Sequence, residues 1–192
     1  MSTSYFVTHP EIVVDPSVSV AEWGLSARGF ERIDAFCRRP MLEKVTDVFV
    51  SDEKKALDCA RTLQTLRGQS FQSYCDLREN DRSSTGYVAP PRFWELVDEF
   101  FAHPTQSILG WERSIDAQQR IRDTVNQCIA NRWGKGDNVF FSHGGVGTLL
   151  LCDLLGEPIT RANGQPIAGG GCFFAFETET LRLIHPWKDI VP

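Results

Sequence analysis

The sequence predicts an α/β domain with a mostly parallel central sheet and helices on both faces. Short β-rich runs alternate with longer stretches of helical periodicity, which is typical of parallel-sheet folds. The run Val48-Phe49-Val50 is continuously apolar, as in a strand buried on both faces. No period of 20 to 50 residues recurs, so a solenoid is not expected. The 192 residues are expected to form one domain, over residues 1–192.

Apolar spacing and turn residues mark the elements of the first half. Residues 4–8 form a β-rich run that stops at His9-Pro10, because the residue before proline favours extended backbone. The next predicted element is a helix that is capped by Ser26 and ended by Pro40, and a strand over 45–51 follows it. A second helix is predicted from residue 54 to Gly68, and a third strand over 71–75. The first helix is expected to bury Phe30, Ile33 and Cys37.

The second half opens with a polar, turn-rich loop over residues 78–91, of a kind that is more often functional than buried. Apolar residues at helical spacing predict helices over 91–101 and 112–133. A strand over 138–142 leads into a helix over 146–155 that is apolar almost all round, and runs 172–177 and 180–184 predict a hairpin. A cap-like insertion of helix and loop is expected at about residues 78–112.

Composition argues against several function classes. Twenty Lys and Arg residues against 25 Asp and Glu give a net charge of −5, which disfavours nucleic acid as a partner. No apolar stretch is long enough to span a bilayer, and no basic residue precedes Arg28, so neither a membrane span nor a secretory leader is expected. The six cysteines form no CxxC pair and are expected to be free and reduced, as in a cytoplasmic protein.

Three polar clusters directly follow strands: Thr8-His9, Ser51 to Lys55, and Ser142 to Gly145. Sites on parallel sheets lie beyond the carboxyl ends of the strands, so we expect these clusters to meet. Of two histidines so placed, one can attack phosphorus while the other stabilises phosphoryl oxygens, and a helix starting after Gly144 would add N–H donors. This pattern favours phosphoryl transfer.

Each of these residues also has an ordinary structural interpretation. His9 alone is a turn residue before proline, a pattern that recurs at His103 and His185. Lys54 and Lys55 open a helix, where cations oppose the macrodipole; this favours an anionic ligand, but a partner in Asp52 or Glu53 explains them equally well. Rival motifs are weak, since no G-x-S-x-G, H-E-x-x-H, CxxC or Walker A sequence occurs and Gly145-Val146-Gly147 lacks the third glycine of a dinucleotide fingerprint.

Taken in order, the motifs resemble those of the histidine phosphatase superfamily, which has the phosphoglycerate mutase-like fold, over nearly the whole chain. Thr8-His9-Pro10-Glu11 stands where that family has Arg-His-Gly-Glu. Further similar segments are Leu25 to Gly29 at the first helix, Lys55-Ala56 at an Arg-Ala position, Leu77-Arg78-Glu79 at Leu-x-Glu, Gly110 to Ser114 at the long helix, and Ser142 to Gly145 at the second catalytic histidine.

The resemblance implies a phosphatase that acts through a phosphohistidine on a phosphorylated small molecule or phosphoprotein, with no metal or cofactor. It implies His9 as nucleophile, Glu79 as general acid and then base, and His143 with Lys55 on the phosphate oxygens. Thr8, Ser51 and Gly144 would add further contacts. Lys54, Lys55, Arg78 and Arg82 are expected to make the crevice locally positive although the chain is acidic.

Three departures from the family pattern fall in the phosphate pocket: Thr8 and Lys55 replace arginines, and Pro10 replaces a glycine. Arginine offers a planar fork, lysine a point charge and threonine a neutral hydroxyl. Loss of one preorganised donor typically costs about 10² to 10³ in rate. A second hypothesis is therefore a protein that binds an anionic ligand without turnover. A third is a different electrophile under a cap lined by aromatic residues that could equally be core: Tyr87, Phe93, Trp94 and Trp111.

Overall fold

One six-stranded sheet organises residues 2–191, the part of the chain that the computed structural model describes. The strands are β1 (Thr3–Thr8), β2 (Val45–Ser51), β3 (Gln72–Tyr74), β4 (Asp137–Ser142), β5 (Cys172–Glu177) and β6 (Leu183–Asp189), in the spatial order β3-β2-β4-β1-β5-β6. Strands β1 to β4 pair with one another in parallel, whereas β5 pairs antiparallel with β1 and with β6. The predicted α/β class with a mostly parallel sheet is confirmed.

Both faces of the sheet carry helices. In the described chain these are α1 (Ala27–Cys37), α2 (Lys54–Arg67), α3 (Arg92–Ala102), α4 (Ser114–Ala130) and α5 (Gly144–Leu155). Apolar side chains of α1 and α2 form one core with one face, and those of α3, α4 and α5 form a second core with the other. None of the described helices is both long and apolar enough to cross a membrane.

The ends of α1 and α2 follow their local sequence, but one face was predicted wrongly. The Ser26 hydroxyl accepts the N–H of Gly29, and Gly68 ends α2 with φ of 76°. Phe30, expected to be buried, is 44% exposed. The reason is a close backbone approach, since a Cβ at Gly29 would lie 2.2 Å from the carbonyl oxygen of Glu11. This approach turns Gly29 rather than Phe30 toward the protein.

Two further boundaries differ from the sequence prediction. The helix expected to reach residue 133 ends at Ala130, because the Asp47 carboxylate accepts the N–H groups of Trp133 and Gly134 and holds them in a turn before β4. The second strand of the hairpin is not 180–184 but Leu183–Asp189. Residues 178–182 form a wider connection, in which the N–H of Leu181 donates to the carbonyl oxygen of Glu177.

A buried arginine connects α1 to the chain behind β1. Arg32 is 5% exposed and donates to two carboxylates and to the carbonyl oxygens of Gly170 and Gly171. The same glycine turn contacts His9, whose carbonyl oxygen accepts the N–H of Gly171. A Cβ at Gly170 would lie 2.2 Å from that oxygen, so this close contact needs glycine. Arg32 therefore fixes the turn on which the backbone of His9 rests.

Arg32→Leu is expected to lower the free energy of unfolding by about 2–4 kcal/mol, because it leaves Glu11 and Asp189 without their cation and two carbonyls without donors. Urea unfolding at neutral pH measures the change. Arg28→Leu, on the exposed side of α1, is the matched control and should shift the value by no more than about 0.5 kcal/mol. Equal effects of the two substitutions would contradict the structural role of Arg32.

Candidate active site

The register of two parallel strands brings His9 and His143 together. Thr8 on β1 lies opposite Ser142 on β4, so the next residue of each strand leaves the sheet at the same edge. The N–H of His9 donates to the Ser142 carbonyl at 3.2 Å, which extends the ladder by one bond. The two imidazole rings lie edge to face with their centroids 5.3 Å apart. The β4 partner β2 ends at Ser51 and adds its hydroxyl to the same place.

The tautomer of His9 is set by the residue that follows it. Its Nδ1 lies 2.9 Å from the carbonyl oxygen of Pro10. A carbonyl can only accept, so Nδ1 carries the hydrogen and Nε2 keeps its lone pair. Burial, then the neighbouring His143 and Lys55, lower the pKa of His9 to about 3. His9 is therefore a neutral imidazole at pH 7, with Nε2 available as a nucleophile.

His143 is fully buried at the N-cap position of α5. Its Nε2 lies 2.8 Å from the Ser51 hydroxyl and 3.5 Å from Oε1 of Glu53, while its Nδ1 has no hydrogen-bond partner within residues 2–191. Burial lowers the pKa of His143 more than the Glu53 carboxylate raises it. The ring is thus neutral, with one unpaired nitrogen inside the protein.

The Glu79 carboxylate lies at the N-terminus of α5. Its carboxylate accepts the N–H groups of Gly145 and Val146, both at 2.9 Å, and the Arg82 guanidinium lies 3.8 Å away. A Cβ at Gly145 would lie 2.5 Å from Oε1 of Glu79, so the glycine makes room for the carboxylate. Burial opposes ionisation, but Arg82, His143 and the two N–H groups outweigh it and lower the pKa of Glu79. The sequence predicts that N–H groups at the start of this helix bind a ligand, but two of them bind the Glu79 carboxylate instead.

Lys55 is buried beside a second internal anion. Its ammonium group donates to the Glu53 carboxylate and, at 2.8 Å, to the carbonyl oxygen of Val20. Burial would raise the pKa of Glu53, but His143, Lys55 and the N–H of Glu79 together lower it to about 2. Of the two explanations for Lys55, the partner in Glu53 is the arrangement that the structure contains. The sequence pointed to Glu53 only through its position beside the lysine.

Thr8 and Gly144 meet at a residue that sequence reasoning missed. The Thr8 hydroxyl donates to Oε1 of Gln165 at 2.8 Å and accepts the N–H of Cys172 at 3.0 Å. The Gln165 amide lies over the start of α5, since a Cβ at Gly144 would be 2.5 Å from its Nε2. Gln165 lies in the loop between α5 and β5, where no periodicity or motif distinguishes it.

An ion pair between Arg120 on α4 and Glu112, just before that helix, supports the Glu79 segment from outside. Arg120 donates to the Glu112 carboxylate at 2.7 and 2.9 Å and to the carbonyl oxygens of Asp76, Arg78 and Glu79. The guanidinium thus provides hydrogen-bond donors for three carbonyl oxygens of residues 76–79, a segment that lies outside the sheet. The position of the Glu79 carboxylate thus depends on α4 as well as on α5.

The aromatic residues proposed for a cap divide between core and surface. Trp111 is 2% exposed and belongs to the core on the α4 side, which is its ordinary interpretation. Tyr87 and Trp94 are exposed, and Tyr87 contacts Trp23 edge to face at 5.4 Å. The Arg82 guanidinium lies 5.2 Å from the Phe93 ring centroid, so the cation beside Glu79 is also held by the aromatic group.

Within the described residues, no group of three or more His, Cys, Asp and Glu side chains is arranged to hold a metal ion. Cysteine chemistry is not part of the site either. Five of the six cysteines are buried, Cys75 is exposed, and all six are unpaired.

Comparison with known proteins identifies relatives of this chain. The family model described as histidine phosphatase superfamily (branch 1) matches residues 17–178. This range contains Ser51, Lys55, Glu79 and His143 and begins after His9. No curated protein matches the chain.

Solved structures share the fold at low sequence identity. YhfR of Bacillus stearothermophilus is 18% identical with a TM-score of 0.78, over 97% of this chain and 95% of that one. A mycobacterial glucosyl-3-phosphoglycerate phosphatase is 19% identical with a TM-score of 0.72, over 97% and 96% of the two chains. That phosphatase has also been solved with inorganic phosphate and with VO3.

His9→Gln is expected to reduce the loss of stability in acid. The folded-state pKa of about 3 lies below the unfolded value of 6.5, so below pH 6.5 the unfolded chain binds a proton that the folded His9 does not. Stability from this group is present above pH 6.5 and falls with pH toward 3, by up to about 1.4 kcal/mol per pH unit. Urea midpoints at about pH 7 and about pH 5 measure the effect. The exposed His103→Gln is the control, and an equal acid loss in both variants would contradict the neutral His9.

Proposed function

The chain belongs to the histidine phosphatase superfamily, and we propose that it hydrolyses the phosphomonoester of a small phosphorylated molecule through a phosphohistidine at His9. One observation carries the proposal: the Pro10 carbonyl holds the hydrogen on Nδ1 and leaves Nε2 of a neutral imidazole free. This is the protonation state in which imidazole attacks phosphorus. The fold shared with a mycobacterial glucosyl-3-phosphoglycerate phosphatase supports the substrate class.

In the proposed first step, Nε2 of His9 forms a bond to phosphorus while the bond from phosphorus to the ester oxygen breaks. The leaving oxygen needs a proton, and Glu79 is ionised at rest. The proton therefore comes with the phosphoryl group, and Glu79 relays it to the leaving oxygen as general acid. Water then attacks the phosphorus of the phosphohistidine, with Glu79 as the base that takes its proton. The bond from phosphorus to Nε2 breaks, which releases inorganic phosphate and returns the electron pair to the neutral His9.

Donors to the phosphoryl oxygens would come from both sides of the histidine pair. Nδ1 of His143 has no partner in the described chain, and it is a donor in the tautomer in which the Ser51 hydroxyl donates to Nε2 and the ring hydrogen is on Nδ1. Lys55 supplies the buried cation, and the N–H of Gly144 and the Thr8 hydroxyl are further donors.

A second candidate function is the binding of an anionic ligand without turnover. The observation that favours it over hydrolysis is that three groups suited to stabilise the charge of a phosphoryl transition state already have internal partners. The Thr8 hydroxyl is hydrogen-bonded to Gln165, the Lys55 ammonium to Glu53, and the N–H groups of Gly145 and Val146 in α5 to Glu79. A ligand would have to compete with each of these contacts.

Trapping the covalent intermediate tests the proposed reaction. Rapid acid-free quenching of the protein with a labelled phosphomonoester is expected to give an acid-labile phosphohistidine at residue 9, and His9→Ala is expected to abolish both label and turnover. The exposed His103→Ala should retain both. Turnover that survives His9→Ala would exclude this mechanism, and protection by vanadate without any label would favour the binding function.

Restoring an arginine tests whether the missing donor limits the rate. Thr8→Arg combined with Gln165→Ala, which clears the space beside residue 8, is expected to raise kcat/KM for a generic phosphomonoester by about 10² to 10³. Gln165→Ala alone is the control and should give no such gain. If the double variant binds phosphate more tightly but turns over no faster, the donor at residue 8 contributes to ligand binding rather than to the transition state.

A further inference from the structure

The carboxylate of Glu53 lies among groups that an incoming anion would need. Its Oε2 is paired with the Lys55 ammonium, and its Oε1 accepts the N–H of Glu79 at 3.0 Å and lies 3.5 Å from Nε2 of His143. The side chain is 12% exposed, so water does little to screen it. Glu53 is thus the hydrogen-bond partner of the buried Lys55 ammonium and of the Glu79 N–H, two groups that lie beside the histidine pair.

The charges that face Glu53 balance one another. His9 after β1 and His143 after β4 are neutral, Lys55 on α2 and Arg82 after β3 are cations, and Glu53 and Glu79 are anions. The Arg120 and Glu112 side chains on the outer side neutralise each other. The site therefore offers one buried cation, Lys55, and one partly exposed cation, Arg82, each with a carboxylate beside it. A dianion brought here gains no net attraction to offset its lost hydration.

We propose that Glu53 is an internal counter-anion that makes this pocket select a phosphoryl group in its monoanionic state over the dianion. The monoanion adds one charge fewer to a site without net charge, and its hydroxyl is a donor for the carboxylate oxygens. The inference rests on the proposed function only in taking the groups around His9 and His143 as the phosphoryl pocket. It extends that function by naming the ligand charge that the pocket accepts.

Binding to the wild-type protein gives the first test, with a non-hydrolysable phosphonate, phenylphosphonate, and with sulfate as a permanent dianion. The second ionisation of a phosphate monoester lies near pH 6 and that of a phosphonate lies higher, so affinity for the phosphonate is expected to fall about tenfold between about pH 5.5 and about pH 8, while affinity for sulfate stays weak and nearly constant. Calorimetric titration measures both. Phosphonate binding that is absent at the lower pH, or as tight at the higher pH, overturns the proposal.

Glu53→Gln gives the second test, because it keeps the side-chain size and removes the charge. It is expected to tighten phenylphosphonate binding at about pH 8 at least about tenfold, whereas Asp52→Asn, an equal charge change at the exposed neighbouring residue, should leave it unchanged. Equal effects of the two variants overturn the proposal. Binding that follows this pattern without any phosphohistidine would leave the charge selection intact and reject hydrolysis, so the two failures are distinguishable.

Discussion

The pairing of β1 with β4 is the constraint on which the candidate site depends. Thr8 lies opposite Ser142, and the side chains of consecutive strand residues alternate between the faces of the sheet. A slip of one residue would separate His9 from His143 and turn the core residues of one strand toward the wrong face. The register is held from behind as well, because the Gly170-Gly171 turn contacts the His9 carbonyl and is itself bound by Arg32. The apolar core and the histidine pair are therefore specified together.

Internal charge, rather than the net charge of the chain, determines what the site can accept. The sequence predicts a locally positive crevice from four lysine and arginine residues. In the structure, Lys55 is neutralised by Glu53, and Arg82 lies beside Glu79. Both carboxylates remain ionised despite burial because donors surround them. This is the reason that charge is balanced around the histidine pair although Lys55 and Arg82 lie near it.

Local signals in the sequence were sufficient for most of the fold and for the order of the site residues. Strands β2 and β4 are apolar runs because both of their faces are covered, and the ends of α1 and α2 follow Ser26 and Gly68. What failed depended on distant contacts. The exposure of Phe30 follows from a backbone contact between Gly29 and Glu11, and the early end of α4 follows from the reach of Asp47 across the sheet edge.

The same limit applies to the site, where sequence order locates the strand ends but not their partners. Gln165 is brought to Thr8 by the loop after α5, and Glu53 is brought to the N–H of Glu79 by the parallel pairing of β2 with β3. These two residues change the meaning of the departures at Thr8 and Lys55.

Simple loss of a phosphate-binding arginine would leave unpaired hydrogen-bonding groups or an unfilled cavity, whereas the Thr8 hydroxyl is fully hydrogen-bonded here. A buried carboxylate without partners would be costly, yet Glu53 has a cation and an N–H donor. Thr8 in place of arginine removes one positive charge, and Glu53 neutralises the charge of Lys55, while the side chains of Thr8 and Lys55 both keep hydrogen-bond partners. This is the arrangement expected of a pocket adapted to a less charged ligand.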